Sequence, residues 1–191
     1  MTFKETLRKI WNFIWHEDSV ASWAVNVILA FILVKFILYP GLGFLLGTSL
    51  PVVAVVSGSM EHDGSFNDWW NEQEKYYTPL AITKETFLNY PLHNGFNKGD
   101  LIILTGPKKL KEGDVIVFKG TPSDPIIHRL VKINNDGTYQ TKGDHNTASR
   151  YDEVNIRTEY LLGKAVLRIP YLGWFKLGFV KLLGLIGIGN F

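Results

Sequence analysis

Two serines one residue apart carry the first chemical signal: Ser57-Gly58-Ser59-Met60 follows directly on a valine-rich run, Val52 to Val56. Such a run reads as a strand, so the hydroxyls sit at the end of a stiff element. Downstream, Ile126-Ile127-His128-Arg129 supplies an imidazole and Thr141-Lys142-Gly143-Asp144 a carboxylate. The chain thus carries, in order, the three groups that make a serine a nucleophile: a hydroxyl, a base to take its proton, and an anion to orient that base. A histidine base suits neutral pH, because its unperturbed pKa is about 6.5. Lys142 is the alternative base and would need strong desolvation. Of the other histidines, His16 precedes the apolar segment described next, and His62, His93 and His145 fall in stretches read as loops.

The elements that must position these groups begin with an anchor. Residues 1–19 read as an amphipathic helix: Thr2-Phe3-Lys4-Glu5 fits a capping box, Phe3, Leu7, Ile10 and Ile14 recur at helical spacing, and Trp11 and Trp15 add aromatic anchors. With an apolar run next to it, this helix is expected on the membrane surface. Residues 20–41 are read as a transmembrane helix: from Trp23 to Tyr39 the sequence is almost wholly apolar, broken only by Asn26 and by Lys35 near the far end. At 1.5 Å per residue they cover a hydrocarbon core of about 30 Å, and Pro40-Gly41 is expected to end the span. Lys4, Arg8 and Lys9 precede it, and no basic residue follows before Lys75. The positive-inside rule therefore puts the amino terminus in the cytoplasm and residues 42–170 outside.

Within 42–170 the pattern switches to short β-branched runs between turn residues: Val52 to Val56, Asp100 to Leu104, Asp114 to Phe118, Ile126 to Ile133, Thr138 to Thr141 and Leu161 to Ile169. The domain reads as mostly β. Asn134-Asn135-Asp136-Gly137 tolerates the positive φ of a tight connection, so the strand bearing His128 is expected to hairpin into the strand leading to Asp144. An aromatic-rich insert, residues 62–97, contains a short helix around Asp68 to Lys75. It reads either as a flap over the sheet or as a contact for substrate or membrane through Trp69, Trp70, Tyr76 and Tyr77. The tail, 171–191, is apolar and glycine-rich, and is either a second span or an interfacial helix.

Composition narrows the function classes. A formal net charge of +2 gives no basic field for nucleic acid, and the absence of cysteine excludes disulfides and thiol catalysis. No metal or organic cofactor is called for.

Taken together, Ser57-Gly58-Ser59-Met60-Glu61, Gly99-Asp100-Leu101-Ile102, Gly113-Asp114-Val115-Ile116-Val117-Phe118, Ile127-His128-Arg129-Leu130-Val131, Thr141-Lys142-Gly143-Asp144 and Gly163-Lys164-Ala165-Val166 closely resemble the type I signal peptidase family, over roughly residues 40–175. The resemblance implies a membrane-bound serine endopeptidase that removes signal peptides from exported preproteins. It implies Ser59 as nucleophile, Ser57 at the oxyanion hole and His128 as general base, as in archaeal and endoplasmic-reticulum members. Asp144 matches the aspartate of the family's Gly-Asp-Asn motif. Where relatives carry a further aspartate this chain has Arg150, with Asp152 nearby as the alternative orienting carboxylate. The implied fold is a coiled, largely antiparallel sheet. The implied substrate is an extended peptide with small residues before the cut, met at a lipid bilayer. A catalytically inactive, membrane-anchored β module that binds partners is the competing reading.

Overall fold

The computed structural model describes residues 2–120 and 125–185, and the chain divides into two compact units, 1–45 and 46–191. The first unit opens with α1 (Phe3–Trp15), whose Thr2 backbone N–H donates to the Glu5 carboxylate at 2.8 Å. Phe3, Leu7, Ile10, Trp11 and Trp15 are all exposed. Next comes α2 (Val20–Leu33), capped by the Ser19 hydroxyl, which accepts from the Ser22 N–H. Two polar side chains of α2 answer the open carbonyls at the end of α1: the Ser22 hydroxyl donates to Phe13 O at 2.6 Å, and the Asn26 amide to Ile14 O at 2.9 Å.

The helix does not stop at Pro40. A π-helical stretch, Val34–Leu38, leads straight into α3 (Tyr39–Leu46), with the Tyr39 N–H reaching back to Val34 O. The wider π turn takes up the break in hydrogen bonding that a proline imposes, so the helix bends its ladder instead of ending. Val20–Leu46 is, among the described residues, the one helix long and apolar enough to cross a membrane, with mean hydropathy 2.2 over its most apolar window. It fits a single-pass anchor. It ends at Gly47, whose φ of +66° is the left-handed turn that terminates helices, and Leu46 O accepts from the Gly106 N–H at 2.8 Å.

The second unit is built on a six-stranded antiparallel sheet: β1 (Val52–Ala54), β2 (Leu101–Thr105), β3 (Val115–Lys119), β4 (Pro125–Ile133), β5 (Tyr139–Lys142) and β6 (Leu161–Ile169), in spatial order β1-β2-β6-β3-β4-β5. Register shifts interrupt the β2–β6, β3–β6 and β4–β5 ladders, and such bulges sharpen the twist of a sheet. Strand β3 is buried on both faces, which explains its uninterrupted Val-Ile-Val-Phe run. Val115 and Val117 join Met60, Phe96 and Val55 on one side, while Ile116 and Phe118 pack with Leu130 and Leu161 on the other.

Helical residues outnumber strand residues over the described chain, so an expectation of mostly β overstates the sheet. The difference comes from the long anchor and from helices around the sheet, α4 (Phe66–Tyr77), α5 (Lys84–Leu88) and α6 (Gly173–Leu185). The insert is a second core. Trp69, Trp70, Tyr77 and Phe87 are at most 2% exposed and pack with Ile82 and Val131, so the tryptophans face the sheet and not a membrane. Ser65 caps α4, exchanging bonds with Asp68. At the other end, Asp100 anchors the approach to α6: its carboxylate accepts from the Tyr171 N–H at 3.1 Å and pairs with Arg168 at 2.6 Å. Residues 186–191 of the apolar tail lie outside the described residues.

Candidate active site

Strand β1 ends two residues before the Ser57–Met60 turn, and the Val55 N–H donates to Asp100 O at 2.9 Å while the Gly99 N–H donates to Val55 O at 2.9 Å. These bonds stiffen the approach to the turn. The Ser57 and Ser59 hydroxyls lie 3.2 Å apart, and Ser59 Oγ lies 2.9 Å from His128 Nε2. His128 projects from the middle of β4, paired opposite Ile116 of β3, and is 4% exposed. A ring held by a strand on a buried face has little freedom, so its two nitrogens keep fixed partners.

The partner of His128 Nδ1 is Glu153 Oε1, in a short contact. This corrects the expectation for the third group, which named Asp144 with Asp152 as the alternative. Glu153 is fully buried. Its Oε1 also accepts from the Thr141 hydroxyl at 2.9 Å, and its Oε2 accepts from the Arg150 N–H at 2.9 Å. The loop that carries it is tied down on both sides: the Ser149 hydroxyl donates to Thr141 O at 2.6 Å, and Tyr139 and Ile156 exchange backbone bonds at 2.9 Å. The one sequence signal for Glu153 is local. It stands three residues after Arg150, where an acid reaches back to the N–H at the start of a helical turn. Asp152 instead pairs with Arg150 at 3.1 Å.

Asp144 is also fully buried, and it serves a different cluster. It accepts from Arg129 Nε at 2.8 Å and Nη2 at 2.6 Å, and from the Tyr77 hydroxyl at 2.9 Å, and it bonds His62 Nε2 at 3.1 Å. The reason is strand periodicity. Neighbours on β4 point to opposite faces, so His128 and Arg129 cannot share a partner, and Arg129 is in register with Lys142, two residues before Asp144. A buried guanidinium needs an anion, and Asp144 is the one in reach. Burial alone would raise the Asp144 carboxyl, but Arg129 and His62 outweigh it and hold the group well below the usual carboxylate range. His62, expected in a loose loop, has a side chain only 4% exposed and stacks on Trp69 at 3.6 Å. Burial lowers its pKa against the pull of Asp144.

Lys142 is 1% exposed, and burial brings its ammonium down to about 8. Its Nζ donates to Gly143 O at 3.1 Å and Asp144 O at 3.4 Å and lies 4.1 Å from the centre of the Tyr77 ring. The hydrogen bond of the Ser59 hydroxyl to a basic side chain is to His128.

Beside Ser59 runs a cleft of about 270 Å³, lined by Val53 to Ser57 on one wall and Pro125 to His128 on the other, with Asn146 and Arg150 at the polar end. Strand β1 pairs on one side only, and β4 gives Arg129 to Ile133 to β5, so among the described residues both walls have an open edge. Among the described residues no cluster of side chains suited to holding a metal occurs.

A serine hydroxyl on an imidazole whose far nitrogen meets a buried carboxylate, beside a cleft with open strand edges, has the parts of a serine hydrolase. Comparison with known proteins narrows the class. No protein-family model matches the chain. It is 28% identical to the signal peptidase complex catalytic subunit SEC11C of Homo sapiens over 148 residues, 71% of this chain and 60% of that protein. Its identity to signal peptidase complex catalytic subunit SEC11 of Verticillium alfalfae is 26% over 173 residues, 79% and 82% of the two chains. Signal peptidase I W of Bacillus subtilis is 33% identical over 90 residues, 42% and 47%. The chain thus spans 60% of the SEC11C relatives it matches, less than two thirds of their length. All of these relatives are named as signal peptidases, two of them as catalytic subunits of a signal peptidase complex.

Proposed function

We propose that the chain is a membrane-bound serine endopeptidase that cuts signal peptides from exported preproteins, with Ser59 as nucleophile and His128 as general base. The observation that carries this reading is the 2.9 Å bond between Ser59 Oγ and His128 Nε2. In the reaction, Ser59 Oγ attacks the scissile carbonyl carbon and its proton passes to Nε2. Glu153, against Nδ1, keeps the ring in the tautomer that presents a free Nε2 and stabilises the imidazolium that forms. The Ser57 hydroxyl and the Ser59 N–H donate to the developing oxyanion. His128 then protonates the leaving amine, and water repeats the sequence to release the acyl group.

The open edges of β1 and β4 support recognition by strand addition, in which backbone pairing fixes the peptide and alternate side chains enter the cleft. A volume of about 270 Å³ between valine and isoleucine walls favours small residues before the cut. The apolar helix holds the enzyme at a bilayer with its amino terminus in the cytoplasm and residues 42–170 outside, and α1 lies along the lipid surface through its exposed Phe3, Leu7, Ile10, Trp11 and Trp15. Incubation of the purified protein in detergent with a preprotein tests the proposal: the parent is expected to release the signal peptide and Ser59→Ala to release none while keeping its circular dichroism. Cleavage by Ser59→Ala at the parent's rate would falsify it.

A further inference from the structure

The turn that carries Ser59 is held from behind by the loop Gly143–Asn146. The His145 N–H donates to Ser59 O at 2.9 Å, and the Asp144 N–H points at Met60 Sδ at 3.3 Å. The two segments lie so close that a Cβ on Gly143 would stand 2.7 Å from Ser59 O, so glycine is required there. This loop is in turn gripped by the insert. The Asp144 carboxylate receives the Tyr77 hydroxyl from α4 and His62 from the residues just past the nucleophile turn, while Trp69 of α4 stacks flat on the His62 ring. Arg129 closes the cluster from the sheet: its remaining donors go to Pro91 O, Leu92 O and Gly113 O, so all five of its N–H groups are used.

We infer that the insert positions the nucleophile: through His62 and Tyr77 it holds Asp144, and with it the loop that fixes the backbone of Ser59, so that Oγ meets His128. The inference rests on Ser59 being the nucleophile. Asp144 and His62 are positioning residues that act on the serine from behind, on the face of the sheet away from the base. With four donors already on its two oxygens, Asp144 is saturated, and a fully satisfied buried network of this kind rigidifies the backbone it touches. Rigidity at the nucleophile matters because a misplacement of about 1 Å can slow the reaction about 100-fold.

The test compares His62→Ala, His62→Gln and Tyr77→Phe with the parent, as full-length protein in detergent. Ser59 labelling by a fluorophosphonate probe, preprotein cleavage across pH and thermal unfolding are measured for each. His62→Ala is expected to lower kcat and the labelling rate together, about 10–100-fold, with KM near the parent's and the acid limb of the pH profile where the parent has it. His62→Gln, whose amide can still donate to Asp144, should recover most of that loss, and Tyr77→Phe should give a smaller loss in the same two rates. Labelling and turnover equal to the parent's, per folded molecule, in both His62→Ala and Tyr77→Phe would overturn the inference and leave the insert as a cover. A shift of the acid limb in His62→Ala would also overturn it, since the network would then act on the base. If the parent itself neither cleaves nor labels at Ser59, the reaction is wrong and not the positioning.

Discussion

Two polar clusters lie back to back across β4 and β5, and adjacent residues feed them. His128 and Thr141 turn to one face and meet Glu153, with Ser59 beyond; Arg129 and Lys142 turn to the other and gather around Asp144, with Tyr77 and His62. The first cluster ends at the cleft, and its serine hydroxyl is available to a peptide. The second is closed by Trp69, Tyr77 and Phe87 of the insert, with Arg129 4.6 Å from the centre of the Phe87 ring. One cluster joins a hydroxyl, an imidazole and a carboxylate in a single line of hydrogen bonds. The other is a buried cluster closed over by aromatic rings: Asp144 is held ionised by Arg129 and His62, and the Tyr77 hydroxyl is pushed far up, chiefly by burial and then by Asp144. The two buried carboxylates thus have different partners, Glu153 the His128 ring and Asp144 the Arg129 guanidinium.

The sharpest way to break this comparison is to exchange the fates of the two acids. Glu153→Gln is expected to fold and to lose about 10⁴-fold in kcat, because an amide against Nδ1 no longer selects the productive tautomer. Asp144→Asn is expected to lose about 3–5 kcal/mol of stability, because it strands the buried Arg129 charge. Urea unfolding and preprotein cleavage on both variants decide it. Loss of turnover at full stability in Asp144→Asn, with a normal Glu153→Gln enzyme, would return the orienting role to Asp144.

A smaller effect separates the two serines of the turn. Ser57→Ala should slow cleavage about 100-fold, the size of one oxyanion donor, while leaving the pH profile and KM in place. An unchanged kcat would remove Ser57 from the transition state.

The smallest effect sharpens the closed cluster. Lys142 has its folded pKa lowered to about 8 from 10.5, chiefly by burial. At pH 7 the amine is charged in both states and the penalty of burying that charge is fully present. As pH rises past about 8 the folded protein sheds the proton first, so stability gains until the unfolded amine also titrates near 10.5. Lys142→Met should therefore be more stable than the parent at pH 7, by on the order of 1–3 kcal/mol, with the advantage shrinking between about pH 8 and 10.5. A pH-independent difference would mean that Lys142 is not buried as a charge.

Strand positions were legible from the chain alone because each β-branched run stands between turn residues; the observed Leu161–Ile169 matches its expected bounds, and the other five strands differ by a residue or two. The anchor was legible from hydropathy, although its far end was not, since Pro40 reads as a stop and the π turn before it is a matter of backbone geometry. Ser59 and His128 stood out because each sits at or in a recognisable strand. Glu153 did not, because it belongs to an irregular loop and only the bonds of that loop to β5 bring it under His128.

What the sequence determined by itself was the inventory and its alternation: six strand segments, one long apolar helix, a serine pair after β1, and His128 beside Arg129 with period two between them. Only the tertiary structure decided which acid faces which base. That choice depends on segments distant in the chain, the loop after β5 and the insert before β2, closing on opposite faces of one sheet. Carboxylates are interchangeable in a sequence pattern, but in a packed interior each is assigned by the donor it can reach, and Arg129 and His128 point in opposite directions.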